Sequence, residues 1–201
     1  FRLNNLTEAP FSAYLDFDEF RMLCGSPERF LRKEGSKLIS QPIKGTRKRS
    51  NNSKEDEALR NELLNDPKER AENVMIVDLV RNDLSRLAQK STVQVDELFG
   101  VYSFNTVHQL ISTISCELRE DTKFLDVLRA TFPMGSMTGA PKRSAVSLIE
   151  KHENFRRGWY SGSIGYIAPN GDFDLNVVIR SLIYNQKKKY LSCAVGGAIT
   201  I

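Results

Sequence analysis

Three cysteines in 201 residues, Cys24, Cys116 and Cys193, are too few, too widely spaced and odd in number to build a disulfide framework or paired zinc knuckles. Their scarcity suits a reducing compartment, so a cytoplasmic location is expected. No apolar run approaches the roughly 20 residues that a bilayer-spanning helix needs, and no charged-then-apolar leader opens the chain. No internal repeat is evident. Neither the Walker A spacing nor the Rossmann glycine triplet occurs, which argues against a nucleotide site. The excess of positive charge is small, +4. Its two clusters, Arg47-Lys48-Arg49 and Lys187-Lys188-Lys189, lack interleaved aromatics that could stack on bases. Each adjoins a turn-like polar stretch, so solvated loops are expected there, with no nucleic-acid partner.

What is present suits a folded enzyme-sized unit. A hydrophobic content of 40% over 201 residues can bury one substantial core, in a single domain or part of a larger one. The sequence opens on Phe1 and stops within the strand-like run Ala198-Ile199-Thr200-Ile201. The expectation is a piece of a longer protein, with further residues on at least one side.

Short aromatic-rich strands are expected at 13–17 and 20–24, broken by Gly25-Ser26-Pro27, and another at 37–42 that delivers Lys44 at its far end. A Ser/Asn-rich stretch, 47–53, reads as a disordered tip. Helical spacing follows over 55–64. Asp66, Pro67 and Glu69 then give a capping box and a proline at the first position, predicting a helix over 67–88 with Glu69, Glu72 and Ile76 on one face. Strands are expected near 92–95 and 106–118, the second presenting His108, Leu110, Ser112, Ile114 and Cys116 on one side. Asp121 can cap a helix through Phe124, Leu125, Leu128 and Ala130, and Pro141 can start another through Ile149. From Trp159 the pattern is antiparallel, with hairpin turns at Asn170-Gly171 and 185–188. Strands and helices mix without βαβ alternation, which predicts an α+β fold with largely antiparallel sheet.

Several side chains could carry chemistry. Lys44 lies in Pro42-Ile43-Lys44-Gly45-Thr46, where proline stiffens the approach and glycine admits a ligand; desolvation there would free its amine for attack, though a surface lysine at a strand end has the same spacing. Glu28, just after a strand break, could be a general acid or a partner for Arg29 or Arg32. Glu69 and Glu72 could offer oxygens to magnesium or complement the helix dipole, with Glu72 the freer of the two. Asp78, Arg81, Asn82 and Asp83 read as an internal hydrogen-bond network bracing the site. The segment Gly135-Ser136-Met137-Thr138-Gly139-Ala140-Pro141-Lys142 ends at a helix amino terminus and suits a small carboxylate. Gly196-Gly197 marks close backbone approach in a last strand. His108 is either a substrate-orienting group or a bonded core histidine. Arg180, in an apolar strand, needs a carboxylate from a substrate or from the protein.

Taken together, these segments resemble the chorismate-utilising enzymes, which include anthranilate, aminodeoxychorismate, isochorismate and salicylate synthases. The resemblance spans nearly the whole chain: Ser26-Pro27-Glu28-Arg29-Phe30, Pro42 to Thr46, Glu69 and Glu72 running into Met75 to Leu79 and Arg81 to Asp83, Val107-His108, Gly135 to Lys142, and Gly162 to Tyr166. It implies antiparallel sheets packed face to face with helices outside, and a chorismate-binding catalytic domain over 1–201 that lacks an amino-terminal half and a terminal helix. It also implies that Lys44 separates subgroups, because anthranilate synthases carry alanine there and aminodeoxychorismate synthases the lysine. By the same resemblance Lys44 attacks chorismate C2, Glu28 protonates the departing C4 hydroxyl, and Glu72 with Glu69 holds Mg2+. Gly45, Thr46, Ser136, Tyr160, Arg180 and Gly197 then line the chorismate pocket, with His108 near the ring. Ammonia would come from a glutamine amidotransferase, separate or fused. The family's second metal carboxylate has no counterpart before Ile201. Two alternatives stand beside aminodeoxychorismate synthase component I: anthranilate synthase component I, and a non-catalytic relative that docks a glutaminase. A role for Pro10-Phe11-Ser12 in tryptophan binding is a weaker implication.

Overall fold

The computed structural model describes residues 4–5 and 8–199. Within them, strands β1 (Phe11–Phe17), β2 (Phe20–Ser26), β10 (Ser181–Asn185) and β11 (Tyr190–Ser192) form an antiparallel sheet in the order β1-β2-β10-β11. A larger antiparallel sheet takes β3 (Arg29–Glu34), β4 (Lys37–Gln41), β5 (Ile43–Lys48), β6 (Gln94–Ser103), β7 (Val107–Glu117), β8 (Gly165–Ile167) and β9 (Phe173–Asn176). Its order is β5-β7-β4-β3-β9-β8, with β6 on the remaining edge of β7. Helices α1 (Ser53–Asn65), α2 (Pro67–Ser85), α3 (Phe124–Thr131) and α4 (Lys142–His152) complete an α+β fold.

The core follows from two periodicities. Along α2, Ile76, Val77, Val80 and Leu84 recur at helical spacing and are buried against Leu31, Leu38, Ile114 and Leu175 of the larger sheet. Leu38, Leu84 and Ile114 are wholly buried; each such side chain contributes about 1.5–3 kcal/mol. A smaller cluster of Met22, Cys24 and Val178 lies under the four-stranded sheet. All three cysteines are free thiols.

Several elements differ from the sequence expectation. Lys44 is inside a strand, because β4 and β5 run along one edge of β7 as a single strand interrupted at Pro42: Ser40 pairs with Ile114 and Ile43 with Ile111. Strand β6 is ten residues long, well beyond 92–95. Strand β7 is buried on both faces, with Gln109, Ile111 and Ser115 inside as well as His108 and Ile114. Asp121 does not cap α3; Lys123 takes that position, its N–H donating to Asp126 Oδ2 at 3.1 Å. No strand covers 193–199, and the last two residues of the expected terminal run lie outside the described part.

The stretch 47–53 is tied down. Arg49 pairs with Asp56 at 2.8 Å and donates to the Phe104 carbonyl at 2.8 Å, while Asn52 caps α1 by accepting from the N–H groups of Lys54 and Glu55. Arg47 bonds Glu62 and Asp66. Two of the three cations in that cluster are therefore consumed internally, and Lys48 alone is exposed. Lys187, Lys188 and Lys189 are exposed in the β10–β11 turn, as expected.

Candidate active site

The chain passes between the two sheets twice, at 27–28 and at 177–180, and the two crossings lie side by side. The Gly25 N–H donates to the Arg180 carbonyl at 3.1 Å, and the Val177 N–H to the Glu28 carbonyl at 3.0 Å. Glu28 is thereby fixed at the seam, only 4% exposed. Burial pushes its carboxyl up to about 7 from an ordinary 4.5; Ser136, Lys44, the Ile43 N–H and Arg180 surround it and offset part of the rise. The Ser136 hydroxyl is buried beside the carboxyl without a hydrogen bond of good geometry. A carboxylic acid that holds its proton near neutrality, next to a lysine, is equipped for general acid work. Arg180 lies on a bend outside any strand, with φ +50°; the residue is exposed as a whole, but its guanidinium is partly desolvated, which lowers its pKa, and Glu28 offsets part of that.

Lys44 stands on a β-bulge. Ile43 pairs with Ile111 and Thr46 with Gln109, so β5 spends three steps where β7 spends two. The extra residue falls at Lys44-Gly45, where Gly45 has φ +94°. A Cβ on Gly45 would meet Leu63 Cδ1 at 3.0 Å and Glu69 Cβ at 3.2 Å, so only glycine lets the bulge close onto α2. Bulges of this kind re-aim a side chain. Here Lys44 is half-buried and near enough to Glu28 for its charge to favour the carboxylate.

Helix α2 carries two carboxylates one turn apart, the first of them against the bulge. Asp66 caps it, accepting from the N–H groups of Lys68 and Glu69, with Pro67 in the first turn. The capping-box reading of Glu69 is corrected: the Asp66 N–H donates to Leu63, and Glu69 turns to Gly45 and to Arg47, 3.6 Å away. Glu72, one turn on, is 7% exposed and has Lys68 at 3.7 Å. Two hard oxygen donors on one helical face fit magnesium, which takes one or two protein carboxylates and keeps several waters. Among the described residues no third histidine, cysteine, aspartate or glutamate joins them.

The remaining expected residues divide. His108 is 1% exposed and both ring nitrogens are engaged, Nε2 with Asp56 Oδ1 at 3.0 Å and Nδ1 with Ser103 Oγ at 2.8 Å. It joins β7 to α1 and has no nitrogen left for a ligand. Its neighbour Gln109, wholly buried and paired in register with Thr46, has neither amide atom hydrogen-bonded. Sequence reasoning passed over Gln109, because it singled out only the alternate face that carries His108; β7 is buried on both faces. Tyr160 is buried, and a Cβ on Gly196 would meet its hydroxyl at 2.5 Å, whereas Gly197 has open space around it. Close approach therefore occurs at Gly196. Arg157 ties this segment to the 135–137 turn by donating to the Met137 carbonyl at 2.7 Å. Of the expected bracing network only Asp83 is buried, paired with Lys142; Asp78 and Arg81 pair with each other on the surface.

The α+β arrangement of two antiparallel sheets recurs in solved structures of known proteins. The backbone is similar to that of anthranilate synthase component I from Streptococcus pneumoniae, with a TM-score of 0.82 and 34% identity over 92% of this chain and 41% of that one. The chain belongs to the chorismate binding enzyme family, whose model matches residues 1–201. It is 47% identical over 198 residues to an aminodeoxychorismate synthase from Streptomyces griseus, covering 98% of this chain and 27% of that protein. With anthranilate synthase component 1 from Aquifex aeolicus it shares 42% identity over 194 residues, 96% of this chain and 39% of the relative. The chain thus spans less than half the length of these relatives.

Proposed function

We propose that the complete protein is an aminodeoxychorismate synthase component I, which replaces the C4 hydroxyl of chorismate with an amino group for para-aminobenzoate and folate synthesis. The observation that carries this reading is Lys44, set on a glycine bulge beside the buried acid Glu28. Hydroxide is a poor leaving group, and ammonia is a dilute nucleophile. In this scheme Lys44 passes its proton to Glu28 and reacts as the neutral amine: Glu28 protonates the C4 hydroxyl, which leaves as water, while the Lys44 amine bonds to C2. Ammonia then adds at C4 and Lys44 departs, so one difficult displacement becomes two easier ones. Gly45, Thr46, Ser136, Tyr160, Arg180 and Gly197 line the substrate pocket, Arg180 supplying positive charge to a dianion. Glu72 and Glu69 would hold a magnesium ion, whose chemistry is to neutralise a substrate carboxylate. A glutamine amidotransferase supplies the ammonia, and the work is cytoplasmic; no helix among the described residues is long and apolar enough to cross a membrane.

Mass spectrometry of the full-length protein with chorismate and magnesium, without ammonia, tests the covalent step. A chorismate-derived adduct on Lys44, absent in Lys44→Ala, is expected; an unmodified Lys44 under turnover conditions overturns it. The similarity to an anthranilate synthase keeps a second reading in view. With ammonia present, anthranilate as the main product would replace the first assignment by that one.

A further inference from the structure

Behind Glu28 the larger sheet, α2 and the segment after α3 line a small, partly open cavity of about 20 Å³. That is room for about one water. Much of its wall is apolar, from Leu31, Val80, Leu84 and Val177, but Glu28 and Asp83 both line it, together with Ser136 and Thr131. Asp83 is 4% exposed and forms an ion pair with Lys142, whose ammonium also donates to the Thr131 carbonyl at 2.9 Å. Such a pair is expensive to bury: removing two charges from water costs several kcal/mol per ion, and apolar residues of similar volume often serve stability as well. Stability alone therefore gives no reason for α2 to place an aspartate, paired with a lysine from the start of α4, in the lining of the acid's own cavity.

We propose that Asp83 and Lys142 are positioning residues for Glu28, acting through one water held in this cavity. The water accepts or donates at the Glu28 oxygen turned away from the substrate, and the pair fixes its orientation. Glu28 then keeps its remaining oxygen, and its proton, towards the leaving hydroxyl. The charged groups around this arrangement are Lys44 and Arg180 on the Glu28 side, Arg29 in the cavity lining and already paired with Asp174, and Lys142 and Arg86 around Asp83. Balanced, the Asp83–Lys142 pair imposes little net field on Glu28; unbalanced, it imposes a large one, because unit charges several ångströms apart in a protein interior interact by kcal/mol.

The inference rests on Glu28 acting as the acid of the proposed reaction, and its test separates the two claims. Infrared difference spectra of the complete protein report the protonated carboxyl of Glu28, assigned by the band lost in Glu28→Gln, whether or not the protein turns over chorismate. Asp83→Asn strands the Lys142 cation, so the Glu28 band should titrate about half a unit or more lower. Lys142→Met removes the cation, so it should titrate at the wild-type pH or higher. The double variant, which strands no charge and so is the one expected to keep its fold, should return the titration to within a few tenths of a unit of wild type. The high-pH limb of kcat/KM for chorismate should move in the same order. A Glu28 band that stays fixed in all three variants overturns the coupling, even where activity is lost through instability. Band shifts as expected, in a protein that leaves chorismate unchanged, would uphold the coupling and sink the proposed reaction.

Discussion

Glu28 titrates near 7 in the folded chain against an ordinary 4.5, so folding takes up a proton between those values. The folded state binds more protons than the unfolded one across that window, and stability must fall as pH rises through it. A shift of this size corresponds to about 3 kcal/mol lost between pH 4.5 and 7. Glu28→Gln keeps the shape of the acid and cannot ionise. Urea unfolding at several pH values should show the wild type losing stability towards neutrality, with the variant flat across the same range and the more stable above pH 7. Activity should do the reverse: the variant is inactive at every pH, and the wild type declines above about pH 7 as its acid is lost. Equal pH slopes in the two proteins would mean that Glu28 is solvated, and the acid role would go with it. The sequence showed a carboxylate after a strand break and left it open between an acid and an arginine partner. The choice depends on burial, which arises only when the second crossing, 177–180, closes over the first.

At the scale of the element, what was legible followed from local chemistry. Asp66 and Pro67 begin α2 because a short acceptor and a ring-fixed φ serve an amino terminus whatever surrounds it. Gly171, at φ +83°, makes the β8–β9 hairpin turn for an equally local reason. The bulge at Lys44-Gly45 was not legible, because it exists only as a mismatch with β7, some sixty residues further on. Neither was the ordering of 47–53, which depends on Arg49 reaching Asp56 and Phe104. Both elements can be tested. Gly45→Ala places a Cβ against Leu63 and Glu69 at a backbone angle that disfavours side chains, so a loss of about 1–3 kcal/mol is expected in unfolding experiments. Because the strain falls next to Lys44, kcat should drop by far more than the folded fraction does. Asn52→Ala removes the acceptor for two N–H groups of α1 and should cost about 1 kcal/mol. A disordered tip would show no change, so a neutral Asn52→Ala would restore the sequence expectation.

Across the whole molecule, the proposed magnesium site is the feature that most depends on more than these residues. Glu69 and Glu72 can fill two positions of an octahedral shell, and waters, substrate or further chain must fill the others. The relatives' greater length leaves room for such a contribution. Their surroundings make the two carboxylates unequal. Glu69 lies against Arg47, a half-buried guanidinium also bonded to Glu62 and Asp66, so its charge is already partly spent. Glu72 is more buried, and its cationic neighbour Lys68 is a flexible side chain, 71% exposed, that a divalent ion could displace. A metal should therefore depend on Glu72 more than on Glu69. In calorimetric titrations of the complete protein, Glu72→Gln should weaken magnesium by about tenfold or more and Glu69→Gln by less. Arg47→Met, which releases Glu69, should narrow the gap between the two. If Glu69→Gln proved the more damaging, or if neither variant changed magnesium affinity, the ion would have to be placed elsewhere. Glu69 would then keep its pairing with Arg47 and its place beside the bulge, and Glu72 its pairing with Lys68.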